Sequence, residues 1–331
     1  MSALMAAFMP FRSEVLFRLC LVLAVLGLGG ARADAYPDRP IHLIVPFPPG
    51  GPASVVAEIV APPLGERLGQ KVVVENRSGV DGIVGSDDVA RATPDGYTLL
   101  LATSSHVIHP ATYNSLPFDT DKAFAPVSLL VTTQYVLVVN PSLPVESVEE
   151  LIGYAKRYPG KLTYAAGGLG GPSQMAFELF KTTAGIAAAP IAYEGGADAL
   201  HAVVKGDAEM MMAPLISAVP LIQEGKLRAL AVTGRHPAPA APELPTIAET
   251  LPGYSAVSWY AVLAPAGTPA AVINRLNTEL DRIVHEPEMQ KRFASIGGEA
   301  IGGPPSTLAS LIRGEIPRWR RVAKDAGIHI E

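Results

Sequence analysis

The 331-residue sequence contains a single cysteine, Cys20. It lies in an apolar run near the N-terminus, so the rest of the chain has no disulfide, thiolate nucleophile or thiolate metal ligand to draw on. Aromatic residues are sparse at 6%, and charged residues make up only 17%. Basic residues number 26 against 31 acidic ones. No basic stripe occurs, which excludes nucleic acid as a partner. After residue 35 no segment supplies the roughly 20 consecutive apolar residues of a membrane-spanning helix. No Gly-x-Ser-x-Gly elbow, His-Glu-x-x-His pair or nucleophile–base pairing is present. The seven histidines form no metal-ligand pattern with a carboxylate. No catalytic residues, metal or cofactor are therefore expected, and the chain is not expected to be an enzyme.

What precedes Tyr36 has the layout of an export signal. Arg12 and Arg18 lead into the run Leu19 to Leu26, and Ala31-Arg32-Ala33 and Ala33-Asp34-Ala35 both fit small-x-small cleavage. The run decays into Gly27, Gly29 and Gly30, too early for a retained anchor. Residues 1–35 are thus expected to be a signal peptide, and the mature chain a periplasmic one. Cleavage removes three of the basic and two of the acidic residues, leaving the mature chain acidic.

Glycine and proline are abundant instead, at 31 each, and two stretches use them alike. Ile41 to Val45 is apolar and runs into Pro46-Phe47-Pro48-Pro49-Gly50-Gly51-Pro52-Ala53-Ser54, after which Val55, Val56, Ile59 and Val60 keep helical spacing. Leu162 to Ala166 likewise runs into Gly167-Gly168-Leu169-Gly170-Gly171-Pro172-Ser173-Gln174 and a helix from Met175. A strand, a tight turn and a helix aim unpaired backbone N–H groups into a crevice, where an anion is held without a basic side chain. Two such turns imply a cleft between two lobes. The second also approaches a dinucleotide fingerprint, Gly168-x-Gly170-x-x-Ser173, but the third glycine is missing and Pro172 occupies the turn.

Elsewhere strands alternate with helical stretches, which argues for parallel sheets. Tyr97 to Ala102 and Tyr135 to Val139 read as buried strands. The first is expected to end in a polar loop, Thr103-Ser104-Ser105-His106, where His106 and His109 are either solvated or, for one of them, in contact with a ligand. Ser147 and Glu150 predict a capping box. Pro62-Pro63 predicts a break in the first helix, since an internal proline costs about 3 kcal/mol. Trp259 and Tyr260 are read as hinge core or cleft wall, and Met210-Met211-Met212 as an apolar strand.

With both turns in view, the chain resembles the Bug-type extracytoplasmic solute receptors of the tripartite tricarboxylate transporters. The motifs carrying the likeness are Ile44 to Gly51, Val74-Glu75-Asn76-Arg77, Pro94-Asp95-Gly96-Tyr97-Thr98-Leu99-Leu100 and Phe124-Ala125-Pro126-Val127. Pro159 to Tyr164, Gly225 to Thr233 and Leu263 to Pro269 extend it to nearly the whole mature chain. The resemblance implies an α/β fold of the two-lobed periplasmic binding protein type II kind, with mixed, mostly parallel sheets. Lobe 1 is expected from residues 36–138 plus 256–331 and lobe 2 from 139–255. It further implies a monomer that holds a small carboxylate largely by main-chain N–H groups and delivers it to membrane permease subunits. A sensor for a membrane signalling partner shares the same signature.

Projected onto this sequence, the substrate-binding residues are Phe47, Gly50, Gly51, Ala53 and Ser54 in the first turn and Gly168, Gly170, Gly171, Ser173 and Gln174 in the second. Thr103, Ser104 and Ser105, with Tyr193, Gly196 and Ala197, close the remaining sides. Ser54 stands where members often carry aspartate or serine; its missing charge implies a weaker preference for a ligand ammonium. Gln174 stands where many have histidine, and His109 where asparagine is common.

Overall fold

The computed structural model describes residues 36–330. The expected signal peptide, Cys20 and Glu331 lie outside the described residues. Tyr36–Asp38 belong with the N-terminal segment, and the main folded unit begins at Arg39.

In chain order the unit opens with β1 (Ile41–Val45), α1 (Pro52–Leu68), β2 (Val72–Asn76), α2 (Ile83–Ala90), β3 (Thr98–Thr103), α3 (Ser105–Thr112) and the long β4 (Phe124–Val139). There follow α4 (Val148–Arg157), β5 (Thr163–Gly167), α5 (Pro172–Ala184), β6 (Ala189–Tyr193), α6 (Gly196–Lys205), β7 (Met210–Pro214), α7 (Leu215–Gln223), β8 (Arg228–Val232) and the short α8 (Ile247–Thr250). The chain returns through β9 (Val257–Pro265), α9 (Ala270–Val284), α10 (Pro287–Ser295), β10 (Gly298–Ala300) and α11 (Pro305–Ala326).

The strands form two sheets sharing β4. In the first the order is β2-β1-β3-β9-β4, with β1 to β3 parallel and β9 antiparallel to both neighbours. In the second the order is β4-β7-β5-β6, with β5 parallel to β6 and β7. β4 is antiparallel to β7 and β8. Its partner changes midway: Phe124 to Gln134 pair with β9, and Tyr135 to Val139 pair with β7. The fold is therefore two-lobed, with β4 passing directly from one sheet into the other.

Burial explains the elements. Leu99, Leu100 and Leu101 are wholly inaccessible, as a strand covered on both faces must be. One hydrophobic cluster runs through both lobes, from Ile44 and Leu100 past Leu137 to Phe177 and Met212. Tyr164 stacks on Phe177 at 4.1 Å between ring centroids, and Trp319 of α11 is buried in the same cluster. Ser147 caps α4 by accepting from Glu150 N at 3.1 Å, but the Glu150 carboxylate reaches Glu146 N rather than Ser147 N, so only half of the expected box forms.

Two local expectations are corrected. α1 continues unbroken through Pro62 and Pro63. Val56, Val60, Leu64 and Leu68 bury one face of it, while the carbonyls freed by the prolines belong to Glu58 and Ile59 on the wetter side. Burial there outweighs the lost hydrogen bonds. The polar stretch after β3 is likewise no loop: Ser105 opens α3, and His106 and His109 are 5% and 4% exposed.

Candidate functional site

The two glycine turns have nearly the same backbone. In the first, Gly50 has φ +78°, and Gly51 (φ −75°, ψ 168°) stands before Pro52 at the start of α1. In the second, Gly170 has φ +71°, and Gly171 (φ −77°, ψ 167°) stands before Pro172 at the start of α5. Only glycine adopts the left-handed conformation freely, and proline suits the first helical position because its missing N–H has no acceptor there. Neither cap receives a side-chain hydrogen bond. The intrahelical ladders begin with Val55 N to Gly51 O and Met175 N to Gly171 O. The N–H groups of Ala53, Ser54, Ser173 and Gln174 thus have no acceptor within their helices.

Two further helices start nearby, one from an extended glycine and the other from Ser104 in helical conformation. α6 begins after Gly195 with no side-chain cap, and α3 after Ser104, where Thr103 Oγ1 accepts from Ser105 N at 3.3 Å. All four starts border one cavity of about 960 Å³. Phe47, Gly50, Gly51, Ala53, Thr103, Ser104, Ser105, Gly168, Gly171, Ser173, Gly196 and Ala197 line it. No lysine or arginine does; the charged side chains on its wall are Asp81 and Glu194. Any attraction for an anion must therefore come from aligned backbone dipoles and free N–H groups.

Ser54, Gly170, Gln174 and Tyr193 are not among the lining residues. Ser54 is wholly buried: its hydroxyl donates to Glu58 Oε1 at 3.1 Å and accepts from Asn76 Nδ2 at 3.2 Å. Asn76 also donates to the Phe47 carbonyl at 2.9 Å, so Ser54 braces the turn, and its side chain does not reach a ligand ammonium. The Gly170 N–H is engaged by Gln174 Oε1 at 2.6 Å, which accounts for both residues. Tyr193 packs against the apolar cluster of lobe 2.

Sequence reasoning overlooked part of the wall. Tyr135 and Ser258 line it from β4 and β9, and Tyr260, which the sequence left between hinge core and cleft wall, stands beside them on the wall. Ser104 and Ser258 hydroxyls lie 3.1 Å apart, and the Tyr135 hydroxyl is within reach of both. Burial is the main cause that pushes the Tyr260 phenol up to about 12, and it raises Tyr135 further; both remain neutral hydrogen-bonding groups. These residues meet only because two distant strands pair, so no local signal announces them. Trp259, next along β9, points the other way into the core. Asp81 also lines the cavity, at φ +51° in a turn after Gly79, and His109 Nε2 lies 3.0 Å from its carboxylate. That unusual φ is invisible in sequence.

The signature of the tripartite tricarboxylate transporter family receptors (TctC) matches residues 56–328. The chain belongs to this family. It is 37% identical over 306 residues to protein BugT of Bordetella pertussis (strain Tohama I), covering 90% of this chain and 93% of BugT. Among solved structures it is similar to Rpa4515 of R. palustris with adipate: 36% identity, TM-score 0.80, covering 89% of this chain and 100% of that one. It is also similar to MatC (Rpa3494) from Rhodopseudomonas palustris with bound malate: 30% identity, TM-score 0.75, covering 87% and 99% respectively. Receptors of this TctC family are periplasmic solute-binding proteins, and the two-lobed α/β fold described above is theirs. Among the described residues, no helix is long and apolar enough to cross a membrane, and no group of three or more His, Cys, Asp or Glu side chains assembles a metal site.

Proposed function

We propose that this TctC receptor captures a small carboxylate between its lobes through backbone N–H groups and delivers it to the membrane subunits of a tripartite tricarboxylate-type transporter. One observation carries the reading: the starts of α1, α5 and α6, none with a side-chain cap, and the start of α3, whose first N–H is held by Thr103, open on a single cavity that no basic side chain lines. Each helix start carries about half a positive charge, and a charge-assisted hydrogen bond contributes about 1.5–3 kcal/mol. Two or three such bonds hold one carboxylate firmly, with waters bridging where the backbone does not reach. Adipate in Rpa4515 and malate in MatC make carboxylates the class to test first.

In this reading the protein acts as a monomer. Residues 36–138 with 256–331 form one lobe, 139–255 the other, and the lobes close about β4, which passes from one sheet into the other. Native mass spectrometry of the purified mature protein, followed by thermal-shift screening of carboxylates, tests the proposal. A co-purified acid, or stabilisation by acids but not by their amides, supports it. Stabilisation only by neutral or cationic solutes overturns it.

A further inference from the structure

A second chamber of about 300 Å³ adjoins the main cavity. Gly50, Pro52, Tyr135, Pro214, Ser258 and Tyr260 line both spaces, so the chamber opens beside the N-terminus of α1. Its far walls are Val55 and Val56 of α1, Leu215 and Ile216 at the start of α7, and Ile296. No charged side chain lines it. The sequence reading did not foresee this chamber, because its walls come from helices in both lobes.

Resting on the carboxylate reading above, we infer that the ligand is an amphipathic monocarboxylate whose alkyl or aryl tail fills the side chamber while its carboxylate sits at the start of α1. Three observations support a single charge. The chamber's wall is mainly apolar, with Thr133, Gln134 and Ser217 as neutral polar groups, and offers no counter-charge. Asp81 and Glu194, the charged groups of the main cavity, repel a second carboxylate left there. Ile216, at 36% exposure, and Leu169 of the second turn, at 57%, are among the few large apolar side chains left open to solvent in the described residues, and both border these spaces. Apolar surface kept open beside an anion site is what an amphipathic ligand covers.

The competing occupant is a dicarboxylate whose second carboxylate reaches the start of α7. Acids of matched length separate the two. Calorimetric titration of the mature protein with butyrate, hexanoate and octanoate, against succinate, adipate and suberate, reads the difference. For the monoacids Kd falls about two- to fourfold per added methylene until the chamber is full. Each diacid binds about tenfold or more weakly than the monoacid of equal length, because its far carboxylate loses its water in the chamber and meets no charged side chain, only the start of α7. Ile216→Asp flattens the dependence on chain length by charging the wall. Ile216→Trp does the same by filling the space, which guards against a folding defect in the first variant. Diacids that bind tighter than matched monoacids overturn the inference, as does an affinity independent of chain length. Failure of every acid in both series overturns the carboxylate reading itself.

Discussion

Gly167 closes β5 just before the second glycine turn, where the sheet meets the start of α6. A methyl group placed on it would lie 2.6 Å from Gly196 Cα and 2.7 Å from Gly196 N. Both are backbone atoms, so no side-chain rotation relieves the collision. Gly167→Ala must therefore push the α6 start away from the cavity. Over-packing of this kind costs about 1–3 kcal/mol, and about 2–4 °C of melting temperature accompanies each kcal/mol in a protein of this size. If the carboxylate also loses one charge-assisted hydrogen bond from α6, Kd rises about ten- to a hundredfold. Gly195→Ala is the control, since a methyl group there meets nothing within 4 Å and φ of −165° suits any residue. Differential scanning fluorimetry and calorimetric titration with the acid found by screening measure both effects. A Gly167→Ala protein with the melting temperature and affinity of the parent refutes the close approach of β5 to α6.

Three further outcomes are expected. Gly170→Ala is destabilising by more than about 1 kcal/mol, because φ is left-handed and the new methyl lies 2.3 Å from Ile330 Cδ1; adding Ile330→Ala recovers part of the loss in a denaturation cycle, whereas strictly additive costs refute the contact. His106 is buried with Nε2 unpartnered, and burial, with smaller help from His109, lowers its pKa from 6.5 to about 3. The unfolded chain thus takes up this proton first, so the stability is complete above about pH 6.5 and declines toward pH 3, by up to about 1.4 kcal/mol per pH unit. His106→Leu flattens that slope in urea denaturation between pH 7 and 4; an unchanged slope refutes the assignment. Pro62→Ala restores a hydrogen bond on the exposed side of α1 and raises stability by about 1–2 kcal/mol, net of the entropy proline removes from the unfolded chain; a lower guanidinium midpoint contradicts that account.

Much of the site was legible in the residues themselves. The strand–turn–helix pattern around Gly50-Gly51-Pro52 and Gly170-Gly171-Pro172 specifies backbone conformation locally, and the free N–H groups follow from helix geometry alone. Where side chains turn was not legible. Ser54 and Ser173 occupy neighbouring positions in the first turns of α1 and α5, yet Ser54 faces Asn76 and Glu58 while Ser173 lines the cavity and donates to the Met212 carbonyl. What each hydroxyl meets depends on strands distant in sequence.

Sequence alone determined most of the elements, the two glycine turns and the family, because these rest on short-range conformational preference and on motifs in fixed order. Tertiary structure decided what shares the cavity with the turns. Pairing of β4 with β9 brings Tyr135, Ser258 and Tyr260 to its wall, packing buries His106 and His109, and the meeting of α1 with α7 makes the apolar chamber. Each joins residues on elements separated by long stretches of chain, and a long-range pairing leaves no periodicity in the sequence to read.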